Sequence, residues 1–227
     1  MLNCRHFISL LFGPGFSGQR FFSLGLFALV LSGVLVATPV TASATERNAE
    51  SFIEALAGDS FKIMSDASIA RPERIARFRG ILKNRFALDS IGKWALGRYW
   101  PKASSAERAE YLRLFEDMII ATYVDRLQAY ANETLSVTRS IDHGDGKFTV
   151  YSKFTRPGDA KPITIDWRIG RKDGRFQIVD VVILGSSMST TMRSEFASTI
   201  RRSNSGVTGL LEVMRAKTAT LRLSAEK

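Results

Sequence analysis

Three places in this 227-residue chain carry side chains of the types that do chemistry. The first is Gly185-Ser186-Ser187-Met188-Ser189, a serine-rich tract between a predicted strand and a predicted helix. A hydrolase raises its nucleophilic serine on such a turn, with glycine at the fifth position and the triad histidine later in the chain. Here the fifth position is Ser189 and His143 precedes the tract. The residues read better as a bend at Gly185 and a helix cap at Ser187 or Ser189, whose hydroxyl satisfies an open N–H of the first turn. The second place is His143 with Asp142 and Asp145. The other histidine is His6, and the tract lacks the ligand spacing and closing glutamate of a calcium loop. A hairpin turn explains it. The third is Glu116-Asp117, on a helix face where sequence neighbours point apart and cannot act as a facing acid and base. No glycine-rich loop has phosphate-cradling form. Neither an enzyme, nor a metal site, nor a cofactor is expected.

The elements that position these residues begin after a targeting pattern. Arg5 and Arg20 precede an apolar run from Phe21 to Ala37, and Ala42-Ser43-Ala44 then offers small residues at a signal-peptidase site. Residues 1–44 are expected to be a cleaved signal peptide, leaving one domain over 45–227. The rival reading is a membrane anchor, since the run's 17 residues sit at the short end of the roughly 17–25 that span a bilayer. The single cysteine, Cys4, would leave with the signal, so the domain relies on packing rather than disulfides. Without Arg5 and Arg20, 30 basic residues oppose 22 acidic ones, a net charge of +8. That charge favours anionic surfaces, and export makes nucleic acid the least fitting of them.

Helices, then strands, then helices argue for an α+β fold. A first helix is predicted from about Glu46 to Ser65, with Ser51 and Glu54 as a local capping pair. A second opens at Pro72 and carries Ile75, Phe78, Leu82 and Phe86 at helical spacing. Its basic residues, from Arg71 to Arg85, would form a solvated face more commonly than one that rests on a membrane surface, and are also the candidate surface for docking a partner. A short helix over Ile91 to Gly97 follows, and Ser104-x-x-Glu107 forms a capping box opening the longest helix, to about Ala131. Four strands of an antiparallel meander come next. Leu135, Val137 and Ile141 share a face of the first; Phe148, Val150 and Phe154 share one of the second. Ile163, Ile165, Trp167 and Ile169 alternate with polar residues in the third, and Lys172-Asp173-Gly174 turns it into the fourth, Phe176 to Leu184. Two helices close the chain, from about Ser189 and from Gly206.

The long helix is apolar nearly all round: Leu112, Leu114, Phe115, Met118, Ile119, Ile120, Tyr123 and Val124 cover far more than a stripe. Such a helix either lies buried between two layers or lines an apolar cavity opposite the sheet.

Two stretches then resemble the MlaC family, the periplasmic phospholipid-binding proteins of the Mla system, also called toluene-tolerance auxiliary proteins. Ala95-Leu96-Gly97-Arg98-Tyr99-Trp100, Leu114-Phe115-Glu116-Asp117 and Ala121-Thr122-Tyr123 are similar to its helical half. Val179 to Met188, Arg193-Ser194-Glu195-Phe196 and Gly206-Val207-Thr208-Gly209-Leu210 are similar to its second half. Departures fall at Ser186 and Ser189, where the family tends to aliphatic or apolar residues. The resemblance implies a four-stranded sheet with several helices around a deep apolar pocket for phospholipid tails, in a monomer with phospholipid as cargo. It implies two partners, an inner-membrane ABC transporter complex and an outer-membrane lipoprotein complex. Candidate wall residues are Val137, Phe148, Val150, Ile165, Trp167 and Ile178 from the sheet, Leu114, Phe115, Met118 and Ile119 from the long helix, and Phe196 from a later one. Any one of them fits plain core better than wall. Arg98 and Tyr99 suit a pocket mouth, where a cation meets phosphate. Hopanoid cargo on the same fold, or a filled module bridging envelope complexes, are the alternatives.

Overall fold

The computed structural model describes residues 44–128, 133–156 and 161–225, and side chains over 48–124, 133–156 and 161–219. The expected signal peptide and the far end of the long helix, to Ala131, lie outside the described residues. Helix α1 spans Ala44–Ser65, α2 Arg71–Arg85 and α3 Leu88–Leu96; a 3-10 turn, Gly97–Lys102, leads into α4, Ser105–Gln128. The strands are β1 Thr134–Asp142, β2 Lys147–Thr155, β3 Ile163–Lys172, β4 Arg175–Ile183 and β5 Ser186–Ser187, followed by α5 Met188–Arg202 and α6 Val207–Ala225.

Local signals set most boundaries. Pro72 sits in the first turn of α2. At α4 the Ser104 N–H donates to Glu107 Oε2 at 2.9 Å, and the Glu107 N–H returns to Ser104 Oγ at 3.2 Å, the reciprocal pair of a capping box. These bonds hold the Glu107 carboxyl below its ordinary range. Ser104→Ala is expected to cost about 1 kcal/mol in urea melts at neutral pH. Only the part of that difference that rests on the Ser104 hydroxyl donating to the carboxylate depends on pH. Because the folded-state value is depressed, it is present above the ordinary glutamate value and fades as pH falls through the folded one, while the cap bond to the Glu107 N–H persists. Ser51, by contrast, lies inside α1 and caps nothing there. Between β3 and β4, Asp173 and Gly174 both have positive φ, 51° and 76°, the geometry of a two-residue hairpin.

The sheet runs β1-β2-β3-β4-β5, antiparallel throughout. It has five strands rather than four, because Leu184-Gly185 turns β4 back and Ser186–Ser187 pairs with Val182 and Ile183. Two bulges change which residues share a face. Thr138 is extra in β1, so Ile141 pairs with Thr149 and lies on the opposite face from Leu135 and Val137. Ser140 takes the inner position instead and donates to Glu50 of α1 at 2.8 Å. Val179 is extra in β4, so Ile178 pairs with Ile169 while Val181 and Ile183 pair with Trp167 and Ile165 on that same face.

Three apolar clusters hold the fold. Ala49, Ile53 and Leu56 of α1 lie on Phe148, Val150, Ile169 and Ile178 of the sheet. Met64, Ile75, Phe78 and Leu82 pack on Ile120 and Val124 of α4. On the other side of α4, Tyr111, Leu114, Phe115 and Met118 meet Phe196 and Ile200 of α5 and Leu210, Leu211 and Met214 of α6. The long helix is therefore apolar all round because it lies between two helical clusters. Tyr111 is fully buried and donates to the Gly92 carbonyl at 2.9 Å; burial pushes its phenol up.

The basic residues of α2 turn inward or pair. Arg74 is buried and donates to the Ile69 carbonyl at 2.9 Å. Arg77 pairs with Glu73, Arg85 with Asp59, and Arg79 bridges Glu116 and Asp117 of α4. Arg79 and Arg85 tie the helix to α4 and α1, while Arg77 and Lys83 stay exposed beside their acids. Glu116 and Asp117 share that one guanidinium as structural anions.

Candidate lipid cavity

An apolar cavity of about 270 Å³ lies between the helices and the inner face of the sheet. Phe78, Ile81 and Leu82 of α2 and Leu56, Ala57 and Phe61 of α1 form one wall. Leu135, Phe154, Ile165, Trp167, Val181 and Ile183 form the sheet wall, with Ile178 deeper in β4. Ile119 and Tyr123 enter from α4, Leu88 and Ile91 from α3, and Met188 and Met192 from α5. Phe86, at the end of α2, packs against all three clusters and reaches this cavity. It is pinned there by a bridge to Ile178, closed by the Ala87 N–H donating to the Ile178 carbonyl at 3.0 Å.

The wall is kept dry by satisfying its polar atoms. Trp167 Nε1 donates to Ser152 Oγ at 3.0 Å, and that hydroxyl donates to the Ile165 carbonyl at 2.9 Å. The indole thus has its one donor occupied within the sheet. On the α5 side, Asp180 accepts from Ser187 Oγ at 2.7 Å, from the Ser189 N–H at 3.0 Å and from Ser189 Oγ at 2.7 Å. Arg168 donates to the same carboxylate at 3.0 Å. Ser187 also caps α5 by accepting from the Thr190 N–H at 3.1 Å. Ser187 is fixed as a cap and Ser189 as a buried donor, Ser186 faces solvent, and His143 is bonded to Thr149 in the β1–β2 hairpin. Ser189, which departs from the resembled pattern, has a carboxylate to answer it.

Of the candidate wall residues, Ile119, Ile165, Trp167 and Ile178 line the cavity. Phe148 and Val150 are buried under α1, with Val137 packed beside them. Leu114, Phe115, Met118 and Phe196 belong to the cluster on the far side of α4, which is plain core. The reason is only partly angular: Ile119 and Tyr123 lie four apart on one face of α4 and Leu114 and Met118 turn away from it, whereas Phe115 shares that stripe one turn earlier and meets Tyr111 and Phe196 instead. Arg98 and Tyr99 do not line the cavity; they sit in a separate surface cleft with Arg193 and Arg201. Phe86, Met188 and Met192 were missed as wall residues. The helical spacing that placed Phe86 on α2 gives no sign that the chain turns extended there, at φ −117° and ψ 143°.

Among known proteins, the chain is 26% identical over 170 residues to the intermembrane phospholipid transport system binding protein MlaC of Haemophilus influenzae, covering 70% of this chain and 78% of that one. Its fold resembles a phospholipid-binding protein from Ralstonia solanacearum solved in complex with a phospholipid. The TM-score is 0.66 at 21% identity, covering 77% of this chain and 98% of that one. The model of the family described as MlaC protein matches residues 48–216, nearly the whole of the helices and sheet that enclose the cavity, and the chain belongs to the MlaC family.

Proposed function

We propose that this chain carries phospholipid across the periplasm, sheltering acyl chain in the cavity and passing lipid between an outer-membrane lipoprotein complex and an inner-membrane ABC transporter complex. The observation that carries this reading is the cavity wall, built from aliphatic and aromatic side chains of every layer with its polar atoms bonded elsewhere. Burying a methylene is worth roughly 0.8 kcal/mol, so a long acyl chain gains on the order of 10 kcal/mol on leaving water. Retention then needs no headgroup code. The relative from Haemophilus influenzae and the phospholipid complex from Ralstonia solanacearum support the same cargo. Binding rather than catalysis is proposed, since the serines nearest the wall are held as a cap and as donors to Asp180.

The test is extraction. Protein expressed with its N-terminal region and purified from the cell envelope is expected to release glycerophospholipid into organic solvent, detected by mass spectrometry. Polycyclic hopanoid in its place would move the reading to the rival cargo. A preparation free of lipid, and unable to take any up from vesicles, would end it.

A further inference from the structure

The cleft that holds Arg98 and Tyr99 is distinct from the lipid cavity. Its volume is about 580 Å³, and its lining comes from the end of α3, the 3-10 turn and α5. Arg98, Arg193 and Arg201 line it beside Trp94, Tyr99 and the hydroxyl residues Thr190 and Ser194, with no carboxylate. Several arginines elsewhere in this fold find acids, Arg79 with Glu116 and Asp117, Arg168 with Asp180 and Arg215 with Glu110, and others, such as Arg74 and Arg108, are held by backbone carbonyls. Among the described residues, no carboxylate pairs with the three arginines of the cleft. The single acidic residue of α5, Glu195, feels Lys217 of α6 instead.

These cations are also held in place. Arg98 donates to the Tyr99 hydroxyl at 3.1 Å and lies over its ring at 5.1 Å. Arg193 stacks on Trp94 at 4.8 Å and presses against the bare Cα of Gly97, where an added Cβ would come within 2.9 Å of its Nε. Gly97 has φ 54° and ψ −125°, a backbone that favours glycine. Trp94 itself is 44% exposed, one of the few large apolar side chains left facing solvent. Exposed tryptophan, tyrosine and pre-stacked arginine together have the composition of an interface hot spot. A bare phosphate would use the guanidiniums and leave the indole without a role.

We infer that this cleft docks an acidic polypeptide segment of a partner protein, its carboxylates on Arg98, Arg193 and Arg201 and an apolar side chain on Trp94. The surface goes beyond cargo binding: it needs nothing from the cavity, although α3 and α5 contribute to both.

A short fluorescein-labelled peptide alternating glutamate with leucine serves as the probe, titrated by anisotropy against the full chain at low salt. It is expected to bind, and to bind more weakly as salt rises. The triple variant R98Q/R193Q/R201Q should weaken it by at least about ten-fold and Trp94→Ala by several-fold, while Arg77→Gln, on α2, leaves it unchanged. R193Q alone stands in where the triple does not fold. Absence of peptide binding, or binding indifferent to these changes, would overturn the inference. So would inorganic phosphate or phosphatidylglycerol vesicles engaging the same arginines without need of Trp94. Lipid content is measured on each variant. A cleft that fails while lipid is retained leaves the carrier reading intact, and lipid lost with the peptide still bound does the reverse.

Discussion

Ala57→Trp is expected to empty the protein of lipid without unfolding it. Ala57 is the smallest side chain on the helical wall of the cavity, partly exposed, with Leu56 and Phe61 beside it on α1. An indole there projects into a space of only about 270 Å³. Displacing about five methylenes at roughly 0.8 kcal/mol each removes about 4 kcal/mol, close to a thousand-fold in affinity. The lipid extracted per protein should drop accordingly, while the urea midpoint holds or rises because the indole buries apolar surface. A variant that keeps its full lipid complement would mean that acyl chain lies elsewhere. One that unfolds would mean the space cannot admit a side chain, and so cannot admit a tail.

The same volume bears on how cargo enters. Ligand pockets commonly measure roughly 300–1,000 Å³, so a cavity of about 270 Å³ sits at their lower edge. Taking up more than part of one chain requires a wall that moves. Met188 and Met192, unbranched and adaptable, are placed on the wall that α5 supplies. The opposite wall is stiffer, because Arg79 ties α2 to Glu116 and Asp117 of α4.

What the sequence disclosed about this arrangement depended on range. Most signals that act within a few residues read correctly: Pro72 at the start of α2, the Ser104–Glu107 box, the Lys172-Asp173-Gly174 turn, and a serine cap of α5, which is Ser187 of the two offered. The Ser51–Glu54 pair did not, since Ser51 lies inside α1. Face assignments failed where one extra residue enters a strand. The only local mark of the bulge at Thr138 is the polar run Thr138-Arg139-Ser140, which interrupts the alternation, and Ile141 still falls in step with Leu135 and Val137 when counted by twos. The cavity wall was half visible for a related reason. Ile119 and Phe115 are both apolar and one turn apart, and only the placement of the sheet and of α6 decides which meets a cavity and which a packed core. Arg98 and Tyr99 do pair as a cation beside a phenol, but they line a separate surface cleft and not the cavity.

Asp180→Ala is expected to be the most damaging single change outside the apolar core. Its carboxylate is buried and accepts four hydrogen bonds, three of them from the first residues around the start of α5. An anion at a helix N-terminus is favoured by the open N–H groups there, and here it ties that terminus to β4. Truncation leaves the Ser189 N–H buried without an acceptor and its hydroxyl with only the long contact to Ser187 Oγ at 3.3 Å, which with the other lost bonds costs about 3–5 kcal/mol in total. For a domain of this size that is roughly 10 °C in melting temperature. The exposed Arg168 contributes little of it, being 55% accessible, so Arg168→Ala should lower the melt by no more than about 2–3 °C. Asp180→Asn keeps one acceptor oxygen and should fall between the two. A wild-type melt for Asp180→Ala would show that α5 is held by Phe196 and Ile200 alone. The predicted loss would instead make this serine–aspartate knot the anchor of the Met188–Met192 wall, and lipid should then leave the variant faster than it leaves the wild type at a temperature where both are folded.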